Sequence, residues 1–213
     1  MNVPSAVSGS RSLLAGHIFL VEDDDDLRES IIEILSFVGY QVYPYRDPQE
    51  FLNHPIDVSP ATIVTDVRMP SMSGVELQAK LLEQSRKIPF VFISGESTVS
   101  QAIMAMKQGA VEFLVKPFSR ESLLSAVAKA IELDIQKMRE VVRQAEFIQK
   151  LASLSPRERQ VFSLLAKGYS NAELVEELGI SVSTVKEYKS EMMYKLRLRT
   201  LSELMALNNK KMT

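Results

Sequence analysis

The chain of 213 residues contains no cysteine. That excludes a disulfide framework, a thiolate metal site and a thiol nucleophile, and it suits a reducing, cytoplasmic setting. No apolar run approaches the roughly 20 residues of a membrane-spanning helix, so no membrane partner is expected. The first residues, MNVPSAVSGSRSLLAG, lack a basic start followed by a long apolar core. Residues 1–15 are therefore expected to be a disordered lead-in rather than a signal peptide. Internal repeats and low-complexity stretches are absent too. What is present is ordinary for a soluble globular protein: 46% hydrophobic and 24% charged residues, with room for one large domain or two modest ones.

The net charge of −2 conceals an asymmetry. Residues 1–134 hold 11 Lys and Arg against 18 Asp and Glu, whereas residues 135–213 hold 14 against 9. An acidic half joined to a basic half suggests two domains with different partners, and the basic half invites a polyanion such as nucleic acid.

In the first half, short apolar runs alternate with helical periodicity. HIFLV (17–21), ATIVT (61–65), PFVFI (89–93) and AVEFLV (110–115) read as strands, with a further short strand near Gln41–Tyr43. Strands alternating with helices predict an α/β fold, a doubly wound five-stranded parallel sheet. Either Asp24 or Asp25 caps the first helix, and Asp47-Pro48 starts the second. Gly74 opens the third, and Gly109 stops the fourth.

From Ser119 to about Ser153 a helical pattern runs without Gly or Pro. Leu124, Val127, Ile131, Asp134, Met138, Val141, Ala145, Ile148 and Ala152 follow a 3,4 spacing, the seam of a coiled coil. The first part is expected to pack on the sheet and the rest to form a linker or dimer coil, with Asp134 a local weakness. Four short helical segments follow, at about 156–167, 171–178, 182–197 and 201–208. NAELVEELGISVSTVKEYK has helix–turn–helix form, with Ser181 or Ser183 capping its second helix. The expected organisation is a lead-in over 1–15, an α/β domain over 16–134, a linker helix over 135–153 and a small all-α domain over 154–213.

In a parallel sheet the carboxyl ends of the strands gather at one edge, where ligands bind. Glu22 and Asp23, Asp66, Ser94 and Lys116 each follow a strand and so converge. Carboxylates in close quarters call for a hard cation such as Mg²⁺, which takes one or two carboxylates and waits for a phosphoryl group. The hydroxyl and the ammonium can then hold phosphoryl oxygens.

EDDDDLRES, TDVRMPSMSGVEL, FISGES and FLVKPF resemble the receiver domain of two-component response regulators. LSPRERQVFSLLAKGYSNAELVEELGISVSTVKEYKSEMMYKLRLRTLSEL resembles a LuxR-type DNA-binding domain. The combination is closest to the FixJ branch of the NarL/FixJ group, over about residues 17–208. The resemblance implies that Asp66 accepts a phosphoryl group from a sensor histidine kinase. It implies that Glu22, Asp23 and the backbone carbonyl of Arg68 join Asp66 around Mg²⁺. Ser94 and Lys116 bind the phosphoryl oxygens, Phe113 is the switch aromatic, and Lys116-Pro117 is cis. Glu22 stands where Asp is commoner, and Arg68 puts a long cation at the mouth of the site.

In the helix–turn–helix, Val182, Val185, Met192, Met193 and Leu196 form the expected apolar face. Lys186, Glu187, Ser190 and Tyr194 lie on another. By resemblance, Lys186, Glu187 and Ser190 read bases of double-stranded promoter DNA, and Thr184, Lys189 and Lys195 contact its backbone. The implied partners are the kinase, the promoter, a second copy of the chain once phosphorylated, and RNA polymerase. A Mg²⁺-dependent aspartyl phosphatase is the enzymatic rival. Such enzymes need a second Asp two residues after the nucleophile, and Arg68 occupies that position, so the chain is expected not to be an enzyme. A constitutive DNA-binding dimer that never takes phosphate is the other alternative.

Overall fold

A computed structural model of the chain describes residues 16–83, 88–95, 99–200 and 202–204, the side chains of Val99 and Ser100 excepted. The expected lead-in over 1–15 and most of the segment 201–208 lie outside the described residues; 202–204 are helical. The chain divides into two units, Met1–Arg139 and Glu140–Thr213.

The first unit is built on β1 (His17–Val21), β2 (Gln41–Tyr45), β3 (Ala61–Asp66), β4 (Phe90–Ser94) and β5 (Glu112–Val115). All pairings are parallel, in the order β2-β1-β3-β4-β5. Side chains alternate along each strand. Phe19, Val21, Ile63, Phe90 and Phe92 join the core on one face, and Ile18, Leu20, Val64, Val91 and Ile93 the core on the other. Strands buried on both faces read as continuous apolar runs, which is why β1, β3 and β4 stand out in sequence. β2 is longer than expected because it runs through Pro44. Its place at the sheet edge tolerates a residue with no N–H to donate.

Around the sheet lie α1 (Asp25–Phe37), α2 (Pro48–Leu52), α3 (Gly74–Leu82), α4 (Val99–Lys107) and the first part of α5 (Arg120–Ala152). Asp24 is the cap of α1, accepting from Leu27 N at 2.9 Å. Asp47 caps α2 with Pro48 in its first turn. Gly74 opens α3 as expected, and Ser73 caps it through a capping box with Glu76.

α5 is one helix of 33 residues. Up to Asp134 its inner face is buried in the first unit, through Leu123, Ala126, Val127, Ala130 and Ile131. Asp134 is no weak point in that packing. Its carboxylate is 2% exposed and accepts from Ser59 Oγ at 3.1 Å and Ala61 N at 2.9 Å, tying α5 to the start of β3. Beyond it the expected seam residues Val141, Ala145, Ile148 and Ala152 are exposed.

In the second unit, the end of α5 packs through Phe147 and Leu151 on α6 (Pro156–Ala166), α7 (Asn171–Leu178) and α8 (Val182–Leu196). Those two residues lie off the seam. Leu154, Val161, Leu165, Leu174, Val185, Met192, Leu196 and Leu204 form the core. Gly179 ends α7 in the left-handed conformation at φ 63°, the tight turn between the two helices of the motif. Ser181 is the cap of α8, accepting from Thr184 N at 3.2 Å.

Candidate functional site

The strand order reverses direction between β1 and β3, and a crevice forms there at the carboxyl ends. Glu22 and Asp23 follow β1 and Asp66 ends β3, so three carboxylates flank it. One oxygen from each lies within 4.8 Å of the others, a group able to hold a cation. Glu22 is 1% exposed and Asp66 7%, while Asp23 is open to solvent. Burial, and then the charge of Asp66, push the Glu22 carboxyl above its usual range despite the opposing Lys116. A divalent cation would relieve that cost, so the donor set fits a hard, oxygen-seeking ion such as Mg²⁺.

Lys116 leaves β5 and spans the site. Its ammonium donates to Glu22 Oε2 at 3.1 Å and makes a short contact with Asp66 Oδ2. Burial pulls its pKa down, but the hydrogen bond to Asp66 and the charges of Glu22 and Asp66 outweigh that and raise it. The Lys116-Pro117 bond is cis, as expected, and so is Ser59-Pro60. Asp66 Oδ1 accepts from Arg68 N at 2.9 Å. Ser94, at the end of β4, is 1% exposed, and its Oγ has no hydrogen-bond partner among the described residues. A buried hydroxyl left unpaired is costly, which suits a group reserved for a phosphoryl oxygen. Phe113 lies half-buried with its ring stacked on Phe92 at 6.1 Å.

Two features were not read from the sequence. Arg28 on α1 is 7% exposed; it donates to the Glu22 carbonyl at 2.9 Å and pairs with Asp25. A cation in the first turns of a helix whose cap, Asp24, and first residues, Asp25 and Asp26, are acidic was the available signal. Gly74 is the other. A Cβ there would lie 2.3 Å from the Asp66 carbonyl, so the start of α3 presses on the end of β3 only because it carries no side chain.

In the second unit, Lys186, Glu187, Ser190 and Tyr194 are exposed on α8, and Tyr194 is 82% accessible. Val185, Met192 and Leu196 are buried as expected, but Val182 is 55% exposed and leaves the apolar face. Thr184 is half-buried, with its hydroxyl 2.8 Å from Ser181 Oγ. Lys189 donates to Asn171 Oδ1 at 3.3 Å. The ammonium of Lys195, expected against DNA phosphate, donates to both oxygens of Glu158, at 2.7 and 2.8 Å. That bond, aided by Ser155 and opposed by burial, holds Glu158 below its usual range.

Comparison with known proteins agrees with this geometry. Residues 18–128 match the response regulator receiver domain, and residues 152–207 match the luxR family of bacterial regulatory proteins. Nodulation protein W of Bradyrhizobium diazoefficiens is 38% identical over 192 residues, covering 90% of this chain and 84% of that protein. The transcriptional regulatory protein FixJ of the same organism is 37% identical, covering 90% of this chain and 94% of its own. The solved structure of the response regulator StyR superposes with a TM-score of 0.76 at 36% identity, over 92% of this chain and 98% of that one. The chain belongs to the response regulators of the FixJ type, transcription regulators that join a receiver to a luxR-family DNA-binding domain. Activation by phosphorylation is the standard mechanism of such proteins, and receiver domains bind Mg²⁺ at an acidic site of this kind. Among the described residues no helix is long and apolar enough to cross a membrane.

Proposed function

We propose that Asp66 is the phosphoryl acceptor, and that its modification by a sensor histidine kinase pairs two copies of the chain on a promoter with two half-sites. The observation that carries this reading is a carboxylate cluster bridged by Lys116 at the same sheet edge where β4 ends on the buried, unpaired hydroxyl of Ser94. One carboxylate oxygen of Asp66 attacks phosphorus as the bond to the kinase imidazole breaks, and the imidazole leaves with the electron pair. Glu22, Asp23, Asp66 and the Arg68 carbonyl would hold Mg²⁺, whose charge would offset that of the phosphoryl oxygens. Lys116 exchanges a carboxylate partner for a phosphoryl oxygen, and the Ser94 hydroxyl donates to another. Movement of Ser94 toward the phosphoryl group opens space that the Phe113 ring follows.

On the DNA side, the exposed residues Lys186, Glu187 and Ser190 are the base readers, with Lys186 donating to guanine and Glu187 accepting from cytosine. Thr184 and Lys189 lie close enough to that face to position the backbone. Lys195 serves the fold, as the partner of Glu158. Tethering two small domains in a dimer raises their effective concentration on paired half-sites. The exposed stripe Val141, Ala145, Ile148 and Ala152 offers an apolar seam for that pairing. The test is selection from a random duplex pool. The chain treated with acetyl phosphate and Mg²⁺ selects a two-fold symmetric pair of half-sites, and Asp66→Asn does not. Equal selection by both proteins would favour the constitutive dimer.

A further inference from the structure

Arg28 is a long cation on α1, yet it is buried. A buried guanidinium is costly unless its donors are paired. An ordinary ion pair on a helix surface would need only its neighbour Asp25. Instead Nη1 reaches back six positions and donates to the Glu22 carbonyl at 2.9 Å, while Nη2 meets Asp25. Asp25 also pairs with Arg46, just after β2, at 2.9 Å, so the carboxylate that holds Arg28 is itself tied to the neighbouring strand. Glu22 lies one residue past the paired stretch of β1. Its N–H donates to the Tyr45 carbonyl at 3.1 Å, and its Oε1 accepts from Asp24 N at 3.3 Å. The carbonyl held by Arg28 belongs to the peptide unit between Glu22 and Asp23, and that unit is planar. One bond to its oxygen therefore restrains the plane that contains both Cα atoms from which the two carboxylates spring.

We propose that Arg28 is a positioning residue of the cation site, setting the geometry in which Glu22 and Asp23 present their carboxylates to a divalent cation. The inference rests on the reading of that carboxylate cluster as a Mg²⁺ site. The guanidinium acts through the Glu22 main chain. Charge and geometry predict opposite effects for its loss. A cation near three carboxylates opposes the binding of Mg²⁺, so removal of its charge alone would tighten that binding. Removal of a group that orients metal ligands weakens it, by roughly 10–100-fold. Lysine at this position keeps the charge, but it lacks the planar fork that reaches the carbonyl and Asp25 together.

Mg²⁺ titrated into the full-length chain at fixed ionic strength, and followed by the backbone amide resonance of Asp23, tests this in wild type, Arg28→Lys and Arg28→Met. The wild type is expected to saturate. Arg28→Met should bind Mg²⁺ about tenfold less tightly although it has lost a cation, and Arg28→Lys should fall between the two although its charge is unchanged. Melting temperatures of the Mg²⁺-free proteins are recorded alongside. Binding in Arg28→Met as tight as in wild type or tighter would overturn the proposal. A lowered melting temperature with an unchanged dissociation constant would do the same, since Arg28 would then serve the fold alone. Where Arg28→Met does not fold, Arg28→Lys decides: wild-type affinity there overturns the proposal. A wild type that does not bind Mg²⁺ overturns the reading of the site as well, so the two failures are told apart.

Discussion

Single residues carry the chemistry, and several carry it through contacts far apart in sequence. Gly74 is a case in point. Gly74→Ala drives a Cβ toward the Asp66 carbonyl, and backbone must shift to admit it. Overpacking of this kind costs about 1–3 kcal/mol, and here the displaced atom belongs to Asp66, the proposed acceptor. The variant should melt earlier and take phosphate from acetyl phosphate more slowly, measured by calorimetry and by the rate of labelling; an unchanged rate would mean that Asp66 is placed by other contacts. Ser94→Ala should still be labelled but lose the link between labelling and DNA binding, measured by retention of a selected duplex with and without acetyl phosphate. Lys195 and Glu158 yield a pH prediction. The folded-state pKa of Glu158 lies below its unfolded value of 4.5. Its contribution to stability is therefore complete above pH 4.5 and lost as pH falls through the folded value. Thermal melts of the second unit within the full chain should weaken with acid over that window. Lys195→Met should lower stability by about 2 kcal/mol at neutral pH and flatten the acid dependence.

At the level of elements, the sequence was most legible where burial is two-sided or a cap is local. β1, β3 and β4 show as apolar runs, and Asp24, Asp47 and Ser181 cap the helices they precede. Legibility failed where the deciding partner is distant. Asp134 reads as a flaw in a heptad, but its hydrogen-bond partners lie 73 and 75 positions away. The Glu158–Lys195 pair spans 37 positions, so that ion pair could not be read from the sequence. β2 was cut short at Pro44 because its place at the sheet edge is a fact of topology. α5 shows both sides of the problem. Asp134→Ala removes the acceptor of a buried backbone N–H and should cost about 1–3 kcal/mol, read by chemical denaturation of the first unit. Val141→Asp, seven residues on, changes an exposed position and should leave that stability unaltered. If the exposed stripe is a dimer seam, the same substitution weakens self-association of the phosphorylated chain in sedimentation. Identical association in wild type and variant would remove the seam from the dimer.

For the whole molecule, an acidic receiver and a basic DNA-binding unit share one continuous helix, so a chemical event at Asp66 has a covalent route to the DNA-binding surface. The charge division visible in the sequence follows that functional division. The receiver motifs were recognisable because each site residue sits at a strand end, where topology alone brings the residues together. The direct test of the account is intact mass of the full chain after acetyl phosphate and Mg²⁺, with Asp66→Asn alongside. The expected result is a stable gain of one phosphoryl group in the wild type, none without Mg²⁺, and none in Asp66→Asn. The same gain in Asp66→Asn, or no gain in the wild type, would contradict it.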